Sequence, residues 1–280
     1  MRGFPRTEIG GVSVSRLIIG SNWFLGFSHT SKAKDEFIKA RMTSERIADV
    51  IEVFLRAGVD TMFGVRPEAP QMQEAAKIAE DRVGRGIIGI ATPHLNTGDE
   101  QADFDETARI FDAHAELGAT FCMPHQCSTD ALMDRRYKRI RNIDRYTALI
   151  RERGMVPGLS THMPETPVYA DATGADVETY IQIYNAAGFL MQIEVDWVHR
   201  MIWQAKKPVI TIKPLAAGRL LPLVGLAFSW ATLRPIDCVA VGCMTPDEAR
   251  ECIDISLSVL ENRASAIELQ KTRSKASLEA

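Results

Sequence analysis

The sequence predicts a single eight-stranded parallel β/α barrel. Short apolar, β-branched runs alternate with longer amphipathic stretches along most of the 280 residues. Such alternation specifies a parallel sheet with helical crossovers. Eight units of this kind fit in about 250 residues, the usual size of a closed barrel. The rival, an open doubly wound sheet, lacks its mark: no GxGxxG follows the first strand segment.

The elements follow in order. SRLIIGS (15–21) reads as the first strand. In residues 44–58, Ile47, Val50, Ile51, Phe54 and Leu55 recur at helical spacing, with Ser44 as N-cap and Gly58 at the end. VDTMF (59–63) is the second strand, and a helix within 67–81 leads to GIIGIAT (86–92). A helix over 105–118 precedes ATFCMP (119–124), and one over 142–154 precedes VPGLST (156–161). The segment 176–188 reads as a helix and FLMQIEV (189–195) as the sixth strand. A helix over 196–206 precedes PVITIKP (208–214), and one over 221–233 precedes DCVAVGC (237–243). A helix over 245–260 closes the series. The barrel thus spans about 7–262 of one domain, and 263–280 is a polar, helical or frayed tail.

Composition narrows the function classes. Apolar residues make up 46% and charged residues 25%, enough for a large core. A net charge of −3 with mixed signs does not steer the chain toward nucleic acid or an anionic membrane. No apolar run reaches the roughly 20 residues of a membrane span, and the first residues, MRGFPRTEIGG, lack an apolar signal core. The expectation is a cytoplasmic protein acting on a small molecule, with a homo-oligomer compatible. The five cysteines include no CxxC pair and form no disulfide framework. Cys122 and Cys238 read as core residues, whereas Cys127 and Cys243, at strand ends, are placed to line a cleft.

The order and wording of these segments resemble the aldo-keto reductase superfamily over about residues 7 to 255. TEIGGVSVSRLIIGSNWFLG is similar to the family opening, a hairpin leading into the first strand. RAGVDT resembles the second strand, FCMPH the end of the fourth, GLST the fifth-strand GxSN and MQIE the sixth-strand NQxE. IKPLAAGRL resembles the seventh-strand segment and VAVGCMTPDEARE the eighth strand with its helix. The resemblance implies a barrel with its site at the C-terminal strand ends. It implies Asp60 and His125 as catalytic matches. It also implies that Ser160, Gln192 and the Pro214–Leu215–Gly218 segment hold NAD(P).

The departures from the family are chemical. The family's tyrosine acid is missing, since 61–70 reads TMFGVRPEAP and no tyrosine precedes Tyr137. Pro93 and His94 occupy the neighbourhood of the third-strand lysine, and GCMTPDEA lacks the basic residues that hold a cofactor 2′-phosphate. Hydride addition builds negative charge on a carbonyl oxygen, and a tuned proton donor must neutralise it. Without the tyrosine and lysine, His125 alone would carry that burden.

Other ionisable residues stand in their place. Of six histidines, His94, His125 and His162 fall just past the ends of the third, fourth and fifth strands. Neighbouring strands lie about 4.8 Å apart, so these imidazoles are placed to converge. With Glu194 they form a candidate site for divalent zinc, manganese or iron. Each has a blander reading as a helix cap or a hydroxyl contact. His114 and His199 fall in helices and His29 in the long first loop. Lys213 ends an apolar strand and is suited to bind an anion, act as a base or form a Schiff base. An ion pair with Glu194 or Asp196 is its structural alternative. Asp60 and Glu165 are further proton-transfer candidates, and Arg66 is a candidate anion clamp. Asn22, Trp23, Phe24 and Phe27 form a candidate pocket wall, and the segment 163–174 a candidate lid loop. The sequence therefore favours non-redox, metal-assisted lyase or isomerase chemistry on a small sugar, polyol or keto acid. A divergent NAD(P)-dependent reductase and a non-catalytic ligand-binding barrel are the alternatives.

Overall fold

A computed structural model describes residues 3–270, 272 and 275. The chain opens with an antiparallel hairpin, β1 (Arg6–Ile9) and β2 (Val12–Ser15), and enters the barrel with β3 (Leu17–Ile19). Two helices, α1 (Lys32–Lys39) and α2 (Ser44–Arg56), lead to β4 (Thr61–Phe63). Then α3 (Pro70–Val83), β5 (Ile88–Ala91), α4 (Gln101–Glu116) and β6 (Ala119–Cys122) follow. A short helix α5 (Gln126–Ala131) and a small antiparallel pair, β7 (Met133–Asp134) and β8 (Arg139–Ile140), precede α6 (Ile143–Arg151). The chain returns to the barrel with β9 (Val156–Pro157) and β10 (Leu159–Thr161), then α7 (Glu165–Thr173) and β11 (Tyr180–Ile183). It ends with α8 (Val195–Gln204), β12 (Val209–Ile212), α9 (Pro222–Thr232), β13 (Cys238–Val241) and α10 (Pro246–Leu260).

All ladders of the main sheet are parallel, in the order β10-β11-β12-β13-β3-β4-β5-β6-β9. Its two ends, β9 and β10, are one chain segment divided at Gly158, so the sheet is a barrel of eight strand positions. Gly158 donates its N–H to Cys122 O at 3.2 Å, and Leu159 donates to Thr179 O at 3.1 Å, passing the strand from one neighbour to the other. A Cβ at Gly158 would stand 2.9 Å from Thr179 O and 3.0 Å from Met123 Cγ, so the crossover needs glycine.

Two apolar layers hold the barrel. Ile18, Ile90, Phe121, Met123, Ile181 and Ile210 fill the interior, and Ile9 and Val14 of the hairpin plug its N-terminal end. The alternate strand residues pack outward against the helices; Leu17, Met62, Tyr180 and Val239 belong to that layer. Helix α2 shows how the sequence builds it: Ile47, Val50, Ile51, Phe54 and Leu55 are all buried on one stripe. Its cap is Thr43, which accepts the Arg46 N–H at 3.4 Å, rather than Ser44.

The sixth strand differs from the sequence expectation. It is Tyr180–Ile183, inside the stretch read as a helix, and 189–195 is a loop running into α8. Val177, Tyr180, Ile181 and Tyr184 mimic helical spacing, but all four residues of β11 are buried because a barrel strand is covered on both faces. Leu190 and Ile193, read as strand residues, are exposed. The expected lid loop at 163–174 is mostly the helix α7, and the long first loop contains α1. Residues 263–270 form no helix or strand, and the rest of the tail, apart from residues 272 and 275, lies outside the described residues. Among the described residues no helix is long and apolar enough to cross a membrane.

Asp60 is also displaced from its expected place. It precedes β4 and so stands at the N-terminal end of the barrel, opposite the mouth. Arg6 of the hairpin grips its carboxylate at 2.8 and 3.0 Å, and Arg85 lies at 3.4 Å. The Asp-Thr pair that matches the family's strand end begins the strand here, so Asp60 is a clamp between the hairpin and the barrel floor. Asp60→Ala is expected to cost about 2 kcal/mol in urea unfolding, below the fully buried range because both arginines reach solvent. An unchanged unfolding midpoint would contradict this role.

Candidate active site at the barrel mouth

The mouth is built from the residues just past the C-terminal strand ends. Strand β5 delivers Pro93 and His94, and β6 delivers Pro124 and His125. The His125 N–H donates to Pro93 O at 2.8 Å, which ties the two exits together. His125 then caps α5, and Cys127 lies in the first turn of that helix. Leu95 donates its N–H to Ser128 Oγ at 2.8 Å, pinning the His94 loop to the same helix.

This local geometry brings the two imidazoles face to face at a tilt of 31°, with centroids 4.0 Å apart. Cys127 Sγ lies 2.8 Å from His125 Nδ1 and 3.2 Å from His94 Nδ1. The Cys127 N–H donates to His125 Nδ1 at 3.4 Å, which marks that nitrogen as an acceptor. The ligand atoms of His94, His125 and Cys127 all fall within 4.8 Å of one another.

His162 follows β10 and is anchored by its backbone. Asp130, on α5, accepts the His162 N–H at 3.2 Å and the Thr161 hydroxyl at 2.5 Å. Desolvation raises the Asp130 pKa. Burial, then the neighbouring His94, Arg66 and Lys213, depress His125 to about 4. Burial and the charges of Lys213, His125 and His29 do the same to His162, to about 4. Both rings are therefore neutral at pH 7, with free lone pairs.

Lys213 follows β12 in a left-handed backbone conformation, φ 62°. Burial lowers its amine to about 8. Its Nζ donates to His29 Nε2 at 3.0 Å. His29, also left-handed at φ 57°, places Nδ1 3.1 Å from Phe27 O. That contact puts the proton on Nδ1 and leaves Nε2 as the acceptor for Lys213. The alternative ion pair of Lys213 with Glu194 or Asp196 is absent among the described residues, where the amine meets His29 instead. Ala216, Ala217 and Gly218 continue the loop with φ of 49°, 56° and 84°. Non-glycine residues there cost on the order of 1 kcal/mol each, a concentration of strain at a single strand exit.

The remaining expected site residues scatter. Glu194 is the exposed N-cap of α8 and Gln192 sits in the exposed loop before it, so neither is on a barrel strand. Glu165 starts α7 and pairs with Arg135 at 3.2 Å. Ser160 registers with Ile181 and points into the barrel, almost fully buried. Cys243 is buried with Sγ 3.8 Å from Cys252, not in a cleft. The sequence places Cys127 at a cleft but not with the two histidines as a ligand, and gives His29 no site role. The signal for Cys127 was the His-x-Cys spacing at a strand exit; for His29 there was none.

No family model matches this sequence, and no curated protein does. Solved structures do match. Two structures of a provisionally assigned aldo-keto reductase from Pseudomonas aeruginosa superpose with TM-score 0.65 at 14% and 16% identity, covering 92% of this chain and 98% of the other. An aldo-keto reductase from Klebsiella pneumoniae, solved in complex with NADPH, gives TM-score 0.60 at 14% identity over 95% of this chain and 92% of the other. The fold is that of the aldo-keto reductases. A more remote barrel, orotidine 5′-monophosphate decarboxylase from Methanocaldococcus jannaschii, gives TM-score 0.51 at 13% identity.

Within this aldo-keto-reductase-type barrel, the start of α10 is acidic and self-capped. The N-terminus of α10 is closed by the chain itself: Met244 donates its N–H to Glu248 Oε2 at 2.6 Å, and Glu248 N–H donates to Thr245 Oγ1 at 3.2 Å. Asp247 and Glu248 would repel a phosphate there.

The depressed imidazoles carry a pH signature. The unfolded chain binds protons near pH 6.5, whereas folded His125 and His162 bind them only near 4. Stability from these groups is complete above about 6.5 and is lost as pH falls toward 4. In the metal-free protein, NMR titration of these two imidazoles should show no midpoint between pH 5 and 8. A midpoint near 6.5 for either ring would contradict the burial argument.

Proposed function

We propose that this protein is a non-redox enzyme that uses a divalent metal ion held by His94, His125 and Cys127 to act on a small oxygenated substrate. The observation that carries the reading is the convergence of two imidazole nitrogens and a thiol sulfur at one point of the mouth. Zinc bonds of about 2.3 Å to sulfur and 2.0–2.1 Å to nitrogen put adjacent ligands roughly 3.5 Å apart. The present separations of 2.8 and 3.2 Å reach that spacing with small side-chain rotations. His125, neutral at pH 7, offers the lone pair a metal requires. Nitrogen and sulfur donors favour zinc, then iron(II), over manganese.

Three protein ligands leave a position for substrate, the arrangement of catalytic rather than structural sites. A metal held by His94, His125 and Cys127 would supply Lewis-acid polarisation of a substrate oxygen. Lys213, with its amine near 8, is suited to move a proton to or from the adjacent carbon. Elimination or isomerisation of a sugar, polyol or keto acid follows from that pairing. His162 contributes a second neutral imidazole to the rim. The positions of Glu194, at the exposed start of α8, and Asp60, at the opposite end of the barrel, leave both out of this reading.

The second reading is an NAD(P)-dependent reductase, favoured by the likeness to the Klebsiella pneumoniae enzyme solved with NADPH. The acidic, self-capped start of α10 and the position of Gln192 weigh against it. Elemental analysis of the purified protein separates the two. Near-stoichiometric zinc, iron or manganese is expected, and His125→Ala and Cys127→Ala should each lose most of it. Metal-free protein whose tryptophan fluorescence responds to NADPH would overturn the metal reading in favour of the reductase.

A further inference from the structure

The Lys213–His29 pair has a capability independent of any metal. We propose that Lys213 is a carbonyl-capturing amine that forms an imine with small aldehydes or ketones, with His29 as its proton acceptor. The proposal stands on the contact geometry at the seventh-strand exit and does not rest on the His94–His125–Cys127 reading.

Several observations point the same way. Lys213 Nζ has one side-chain hydrogen-bond partner among the described residues, His29 Nε2 at 3.0 Å, and no carboxylate pairs with it. A carboxylate would hold the amine as an ammonium; a neutral imidazole does not. The His29 tautomer is set by its Nδ1 contact to Phe27 O, which aims the basic nitrogen at the amine. The charged or titratable groups that bear on the pair are His125, His162 and Arg219, with Asp35 touching only the His29 side. Burial, rather than any of these charges, is what favours the free amine at Lys213. Both residues sit in left-handed backbone that a non-glycine residue adopts only at a cost. The fold thus spends conformational energy in two separate loops to bring these two nitrogens together.

The step balances without an oxidant or reductant. The Nζ lone pair attacks the carbonyl carbon, forming the C–N bond and pushing the carbonyl π pair onto oxygen. His29 Nε2 takes a proton from Nζ while the oxygen takes one from solvent water, giving a carbinolamine. His29 returns its proton to the hydroxyl, which leaves as water while the nitrogen lone pair closes the C=N bond. The site is suited to this because burial lowers the amine to about 8, so that it is largely free just above that pH, and the acceptor is already hydrogen-bonded to it.

The test uses the full-length protein in EDTA, so that a bound metal plays no part. Glyoxylate, a small aldehyde, is added with cyanoborohydride, which reduces an imine to a stable secondary amine, and tryptic peptides are mapped by mass. The expected result is an adduct on the Lys213 peptide, formed roughly tenfold or more faster at pH 8 than on any other lysine. Half-maximal trapping should fall at about pH 8. Lys213→Arg should abolish that adduct. His29→Ala should slow trapping about tenfold while the thermal unfolding profile stays that of the parent, and His29→Gln, which keeps an acceptor, should recover part of the rate. Adducts spread evenly over surface lysines would overturn the proposal, as would undiminished trapping in Lys213→Arg. An unaltered rate in His29→Ala would remove His29 from it. Trapping in EDTA with no metal in the purified protein would support the imine and sink the metal reading; the reverse pair of results would do the opposite.

Discussion

Gly158 sits where the sheet closes on itself, and the whole mouth depends on that closure. The chain leaves β6 as neighbour and takes up β11 within one residue. Only a residue without a side chain passes the gap between Thr179 and Met123. Because the ring is complete, the exits of β5, β6, β10 and β12 all open on one rim. Residues separated by more than a hundred positions, such as His94 and Lys213, become members of one site. An open sheet with the same strands would leave them strung along an edge.

The rim is notable for how its charges are distributed. Glu194 is an exposed helix N-cap away from the barrel strands, and the other carboxylates near the rim or named for it are engaged elsewhere. Asp60 clamps the hairpin to the opposite end, Glu165 pairs with Arg135, and Asp130 holds the backbone that carries His162. What remains facing the mouth is a set of imidazoles, a thiol and an amine. Burial first, and nearby positive charge second, keep His125 and His162 neutral, and burial brings the Lys213 amine down to about 8. Neutral imidazoles and a free amine are donors of electron pairs. The same electrostatics therefore prepares one part of the rim for a cation and another for an electrophilic carbon.

The likeness to the aldo-keto reductases also gains a physical meaning. The family's layout of strands and hairpin is kept, and the two chains superpose over most of their length at 14–16% identity. A barrel's interior needs only apolar residues of suitable size at alternate positions, so many sequences satisfy it. Its mouth lies outside the apolar layers, and its residues are freer to change with the chemistry.

The residues that determined the fold were legible because burial imposes a period. The buried stripe of α2 and the runs of β5, β6, β12 and β13 stand out in the sequence for that reason. The sixth strand was misread because Tyr180 and Ile181 also satisfy helical spacing, and only coverage from both sides makes that stretch a strand. That one shift removed Gln192 and Glu194 from the site. The sequence by itself determined the barrel and the placing of His94, His125, His162 and Lys213 at strand exits, since each follows directly on a periodic run. Only the tertiary structure decided which side chains meet. Cys127 joined the two histidines through a single turn of α5, and His29 reached Lys213 from a loop at the far end of the chain. Periodicity records which face of a segment is buried; it carries no information about distances between loops, which are set only when the ring closes.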